Sequence, residues 1–207
     1  MKSISRYFLA AFALLCATTT GALAQSADIK ALSAQLKHGG YVIVFRHGAT
    51  NRDQADTDPL NYDNVARQRL LSERGREVAR QVGEAFKTLG IPIGAIYTSK
   101  YNRAVETGKL IGGGEALPTV DLTEGGLVAT PIENDRRTEA LRKMVATAPA
   151  AGKNTLLVTH KPNIVDAFGK DWFEVKEGEA SIFQPTTAGK ANLVARVQAA
   201  DWLAAVK

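Results

Sequence analysis

Two stretches of the chain are apolar almost without interruption, residues 41–45 (Tyr-Val-Ile-Val-Phe) and residues 155–159 (Thr-Leu-Leu-Val-Thr). β-branched and aromatic runs this short, with no polar alternation, predict strands covered on both faces. Between and around them the apolar positions recur at helical spacing. Residues 27–37 read as a first helix stopped by Gly39 and Gly40. Ser72 stands where an N-cap belongs, before a helix running to about Leu89 and closed by Gly90. Pro92 reopens the chain into a strand at 95–98, and Ser99 or Asn102 can cap a third helix that ends at Gly112-Gly113-Gly114. A short strand is expected at 119–122, a helix at 134–147, and a helix with Pro162 in its first turn after the second apolar run. Residues 192–197 alternate like a half-exposed edge strand. Strands alternating with helices predict an α/β domain. The stretch from Ala49 to Gln68 has no period and reads as a long excursion loop.

The first 24 residues stand apart from this pattern. Lys2 and Arg6 precede an apolar run from Tyr7 to about Ala17, and Ala22-Leu23-Ala24 offers small residues where a leader is cut. This is the layout of a cleavable signal peptide, with cleavage expected after Ala24, one domain over 25–207, and a periplasmic or secreted product without a stable membrane anchor. The run is shorter than the ~20 residues a membrane span needs. Cys16 is the only cysteine and leaves with the leader, which excludes disulfides, a cysteine nucleophile and cysteine-bound zinc from the mature chain.

Charge then narrows the partners. The full chain carries +5, and without Lys2 and Arg6 it has 24 basic against 21 acidic side chains. A balance of +3 is too mild for a nucleic-acid surface and suits a small anionic substrate. There are three histidines, His38, His47 and His160. His47 and His160 each stand just beyond the C-terminal end of an apolar strand, with Arg46 adjoining one of them. Arg103 falls at a strand-to-helix turn on the same expected edge. In open parallel sheets that edge is where ligands bind. Two arginines and two histidines in one pocket repel each other unless an anion sits among them, and guanidinium forks match phosphate oxygens. His38 precedes a glycine pair at a helix end and is given no role.

The segments that carry these residues resemble a known family. VIVFRHGATN resembles the RHG motif of the histidine phosphatase superfamily, which includes phosphoglycerate mutases and secreted acid phosphatases. LLSERGREVA, IYTSKYNRAVETGKLI and TLLVTHKPNI resemble its helix start, second arginine element and second histidine element, in the family's order. The resemblance implies a phosphoglycerate mutase-like three-layer sandwich around a mostly parallel sheet. It implies His47 as a nucleophile that forms a phosphohistidine, with Gly48 leaving room for the phosphoryl group. Arg46, Arg103 and His160 are then the phosphate ligands, and Asn51 and Asn163 are adjoining donors. In one branch the proton donor follows a short strand between the second arginine and the second histidine, where this chain has Glu124. Another branch places an aspartate directly after the second histidine, and this chain has Lys161 there. Asp53, Asp56, Asp58 and Glu179 are reserve acids.

Phosphoryl transfer runs on positioning and electrostatics, so no cofactor or metal is expected. No HExxH pair is present, and Gly112-Gly113-Gly114 follows a helix where a phosphate-cradling loop would follow a strand. The loop 50–63 is expected to cover the pocket. Its four aspartates (Asp53, Asp56, Asp58, Asp63) would repel an anion unless they meet a cationic part of the substrate or the nearby arginines. The expected activity is metal-independent hydrolysis of a phosphomonoester or phosphohistidine. A phosphomutase of the same fold and a non-catalytic phosphate-binding module are the alternatives.

Overall fold

The computed structural model describes residues 28–126 and 128–207. The leader expected at 1–24, and the first position of the helix expected at 27–37, lie outside the described residues. In chain order the elements are α1 (Ile29–Leu36), β1 (Val42–Arg46), α2 (Glu73–Thr88), β2 (Ile93–Ser99), α3 (Asn102–Gly112) and β3 (Leu117–Thr119). They continue with α4 (Pro131–Ala146), β4 (Asn154–Thr159), α5 (Lys161–Phe168), β5 (Ala180–Pro185), β6 (Ala191–Val197) and α6 (Ala199–Ala204).

All six strands join one sheet in the order β3-β2-β4-β1-β5-β6. β3, β2, β4 and β1 are parallel, whereas β5 runs against β1 and β6 against β5. Successive side chains of a strand point to opposite faces, and the core divides accordingly. Ile43, Phe45, Leu156 and Val158 pack with α1, α2, α3 and α6. Val42, Val44 and Leu157 pack with α4 and α5 on the other face. The result is a three-layer α/β sandwich, and no described helix is long and apolar enough to cross a membrane.

Local signals set most boundaries. Ser72 Oγ accepts from Gly75 N at 3.1 Å and starts α2, and Gly90 ends it with a φ of +66°. Thr130 Oγ caps Glu133 N at 3.2 Å with Pro131 next to it, so α4 begins at Pro131, ahead of the Asn134 expected from apolar spacing. The strand expected at 119–122 is displaced. Leu117–Thr119 pair with Tyr97–Ser99, and Val120–Leu122 coil into a 3-10 turn that buries Leu122. Neither Ser99 nor Asn102 caps α3. Its N-cap is Tyr101, without a side-chain bond; Ser99 Oγ accepts from Tyr101 N at 3.1 Å and lies 2.7 Å from His160 Nε2. β5 and α6 have no counterpart in the expected elements.

One topological feature positions the site. β1 and β4 are neighbours in parallel register, with Arg46 opposite Thr159. The chain leaves β1 for α2 in one layer and leaves β4 for α5 in the other. Such a divergence opens a crevice beyond the strand ends, and His47 and His160 are the first residues past those ends.

Candidate active site

The turn after β1 is pinned on every side. Arg46 N donates to Glu179 O and His47 N to Thr159 O, both at 3.0 Å. Gly48 N donates to Thr107 Oγ1 at 3.1 Å, and that hydroxyl donates to Arg103 O at 2.7 Å. Gly48 was expected to make room for a phosphoryl group. A Cβ there would instead meet Gly75 O at 3.2 Å and Leu71 Cδ2 at 3.3 Å, so its smallness serves contact with the start of α2. At Gly75 a Cβ would lie 2.1 Å from Ala49 O. That close approach lets α2 butt against the backbone that follows His47.

His47 is 2% exposed and its Nδ1 lies 2.8 Å from Gly48 O. A carbonyl only accepts, so Nδ1 carries the proton and Nε2 keeps the lone pair. Burial first, then the neighbouring His160, push its pKa well below the ordinary 6.5. The ring is therefore neutral. The His160 ring stands at 5.1 Å between centroids, with Nε2 2.7 Å from Ser99 Oγ. Burial and then Arg103, Arg69 and Arg46 push its pKa well below 6.5 too. Its Nδ1 is 3.2 Å from Glu124 Oε1, but out of line for a hydrogen bond.

Arg103, one residue into α3, is fully buried. Its Nη1 donates to Asp56 Oδ1 at 2.9 Å and reaches Arg69 O at 3.3 Å, and its Nη2 donates to Glu124 Oε1 at 2.5 Å. Its guanidinium lies 4.1 Å from the Tyr101 ring centroid, and the same ring meets His160 edge-on at 5.5 Å. Burial, the Asp56 charge and the neighbouring Tyr62 raise the Tyr101 pKa to about 12, so its hydroxyl stays protonated. Arg46 donates through Nη1 to Val175 O at 2.8 Å and faces Glu177 at 3.7 Å. Arg46 Nε, Arg103 Nε and His160 Nδ1 are buried without a hydrogen-bond partner. Buried groups of this kind are costly in isolation and suit an anion that accepts from them.

The fold thus brings Arg46, His47, Arg103, His160 and Glu124 together. Asn51 and Asn163 adjoin them: Asn51 Nδ2 donates to Gln54 Oε1 at 3.4 Å and Asn163 Nδ2 to Thr123 O at 3.3 Å, which leaves each amide a second N–H. Among the reserve acids, Asp56 is in the site. Asp58 is held by Asn64 at 2.8 Å, and buried Glu179 by Arg196, Gln198 and Lys176 N. His38 is exposed at the end of α1.

Arg69 was not anticipated. Its Nη1 donates to Thr50 Oγ1 at 2.5 Å, and its charge acts on both Arg46 and His160. The one hint in the sequence is a cation just where the polar loop re-enters the apolar start of α2. Ser99, Tyr101 and Thr107 likewise contribute only through contacts the fold creates.

The sequence profile of the histidine phosphatase superfamily (branch 1) matches residues 42–125, from β1 to just past Glu124. The chain has the fold of several solved phosphatases. One is the protein histidine phosphatase SixA, solved with tungstate, at 17% identity and a TM-score of 0.54, with 77% of this chain and 97% of that chain covered. The alpha-ribazole phosphatase of Shigella flexneri gives 16%, 0.53, and 77% and 96% coverage. A mycobacterial glucosyl-3-phosphoglycerate phosphatase, solved with inorganic phosphate, gives 18%, 0.52, and 78% and 99%. No protein with a curated function matches the sequence.

Proposed function

We propose that this chain is an exported phosphatase of the histidine phosphatase superfamily, working through a phosphohistidine on His47 without a metal. The observation that carries the reading is the neutral His47 ring, fixed through Nδ1 on Gly48 O and standing 5.1 Å from His160 beside a buried Arg103. The free Nε2 lone pair attacks phosphorus as the bond to the leaving oxygen breaks. Glu124 gives that oxygen its proton, then takes one from the water that cleaves the P–N bond and releases inorganic phosphate. Arg46, Arg103 and His160 support the charge on the three non-bridging oxygens. The substrate class is a phosphomonoester or a phosphohistidine, in line with the names of the solved phosphatases that share the fold. Export rests on Lys2, Arg6, the apolar run and Ala22-Leu23-Ala24, with cleavage after Ala24.

The test is covalent trapping. Wild-type protein is mixed with a radiolabelled aryl phosphate, quenched in alkali and digested. The expected result is an alkali-stable, acid-labile label on His47, and neither label nor turnover in His47→Ala. Turnover by His47→Ala near the wild-type rate overturns the reading. Label transfer to an added alcohol acceptor in preference to water would make the protein a phosphomutase.

A further inference from the structure

A carboxylate from the excursion loop stands on Arg103, one of the charged groups of this site. His47, His160 and Arg103 are each 2% exposed or less, and the loop's Asp56 lies beside them on Arg103. Asp56 is the loop's charged tie to the site. Its Oδ1 accepts from Arg103 Nη1 and from Arg69 N, both at 2.9 Å. It reaches Arg103 from 47 positions earlier in the sequence, so nothing local to α3 demands the contact. Its other ties to the body include no second ion pair among the described residues: Thr50 Oγ1 donates to Glu177 Oε1 at 3.2 Å and accepts from Arg69 Nη1, and Lys100 stands over the Tyr62 ring at 5.8 Å. Asn102 N donates to Gln68 Oε1 at 2.8 Å, Gln54 Oε1 accepts from Leu70 N at 2.9 Å, and Tyr62 meets Tyr101 edge-on at 5.4 Å.

A carboxylate and a phosphoryl group place oxygen acceptors on a guanidinium in the same way. With Asp56 on Nη1 and Glu124 on Nη2, both terminal nitrogens of Arg103 already serve an acidic side chain. Arg103 Nε is without a partner and offers an arriving phosphate one hydrogen bond, but a paired, bidentate grip needs a terminal nitrogen as well, and there the phosphate competes with a carboxylate. Glu124 is the poorer one to give up, because the proposed reaction uses it beside the leaving oxygen. Asp56 is free of that duty, and its loop retains its own internal bonds, Thr57 N to Arg67 O at 2.9 Å and Asn64 to Asp58 at 2.8 Å. Release of Asp56 from Arg103 leaves those internal bonds in place.

We propose that Asp56 is a specificity-determining residue of this site: its carboxylate stands on Arg103 in place of a phosphoryl oxygen, and only an anion that displaces it is bound. This rests on the phosphatase reading and adds to it. Asp56 sets a threshold for entry. An anion that engages Arg103 together with Arg46 and His160 outcompetes a single carboxylate, whereas one that engages Arg103 alone does not.

Displacement and simple repulsion leave different marks. If Asp56 must leave, removing its charge lifts one fixed cost, equal for every anion. If Asp56 stays and merely repels, the gain scales with the charge of the anion. Tungstate and perrhenate, tetrahedral oxyanions of charge −2 and −1, separate the two cases. Their affinities are measured by calorimetry on wild-type protein, Asp56→Asn and Asp58→Asn, the last a control within the same loop. The expected result is that Asp56→Asn binds both anions about tenfold tighter, the scale of one charge-assisted hydrogen bond, and that Asp58→Asn changes neither. A tungstate gain equal to the square of the perrhenate gain, or no gain for either, overturns the proposal.

A second readout needs no variant. Saturating tungstate should speed hydrogen exchange at the Arg69 amide, which loses Asp56 as its acceptor, and unchanged or slower exchange there refutes displacement. Should neither wild type nor Asp56→Asn bind tungstate or inorganic phosphate at all, the phosphatase reading itself falls and takes this proposal with it.

Discussion

The chemistry at His47 comes down to one proton. Gly48 O holds it on Nδ1, and burial keeps the ring from taking a second. The same burial has a cost in acid. His47 and His160 both have folded pKa values well below 6.5. Above about pH 6.5 both rings are neutral in the folded and the unfolded chain, and stability is at its full value. Below that, the unfolded chain takes up protons that the native state refuses, so stability falls with pH until the depressed folded values are reached. Each histidine contributes a slope of about 1.4 kcal/mol per pH unit inside that window. Urea midpoints in phosphate-free buffer should therefore drop between pH 6.5 and 5, with about half that slope in His160→Gln. A flat profile would contradict the burial of the pair. Glu124 carries the second residue-scale prediction. In Glu124→Gln, turnover of alkyl phosphates, whose leaving oxygen needs a proton, should fall at least tenfold more than turnover of nitrophenyl phosphate. Equal slowing of both would move the acid elsewhere, with Asp56 next in place.

At the scale of elements, the site depends on how α2 meets the turn after β1. Gly75 is the point of contact, and a methyl group there would overlap Ala49 O at 2.1 Å. Neither partner is a flexible side-chain end, so backbone must shift. Gly75→Ala should push the turn carrying His47 and Gly48 away from Thr107 and cut kcat well over tenfold, since small displacements of reacting groups are expensive. Its helix propensity would, by contrast, favour the alanine by roughly 1 kcal/mol. Retained kcat with raised stability would show that the contact is dispensable. Gly75 lies inside the segment LLSERGREVA, readable in the sequence as a helix start, but its partner lies across the fold. The same holds for Ser99. Its place after a strand suggested a helix cap, and its hydroxyl accepts from Tyr101 N short of the helix while meeting His160 across the fold.

For the whole molecule, the layer that backs the site is closed by the C-terminal helix. Trp202 on α6 is fully buried and meets Phe86 of α2 edge-on at 5.0 Å, with Phe86 in turn 6.2 Å from Phe45 of β1. Trp202→Ala should cost about 3–5 kcal/mol, read as a lower urea midpoint, and leave kcat within a few-fold at low temperature. A loss of activity without loss of stability would mean that α6 serves the site directly.

Much of this protein could be read from residue order. The apolar runs at 41–45 and 155–159, the polar loop between 49 and 68, and the cap at Ser72 are local patterns, and local patterns specify strands, loops and helix starts directly. They also located Arg46, His47 and His160 at strand ends and Arg103 by a strand-to-helix turn, and the motif order pointed to Glu124. What no run of residues could show is pairing. Parallel β1 and β4 are separated by most of the chain, and only their register sets His47 beside His160. β5 escaped notice because it is the antiparallel partner of β1, a fact of sheet assembly. Asp56 and Arg69 reached the site in the same way, through a loop whose path is set by charges on distant elements. Short-range order is encoded by spacing along the chain. Which charges meet is settled only when the core closes and brings buried groups within reach of one another.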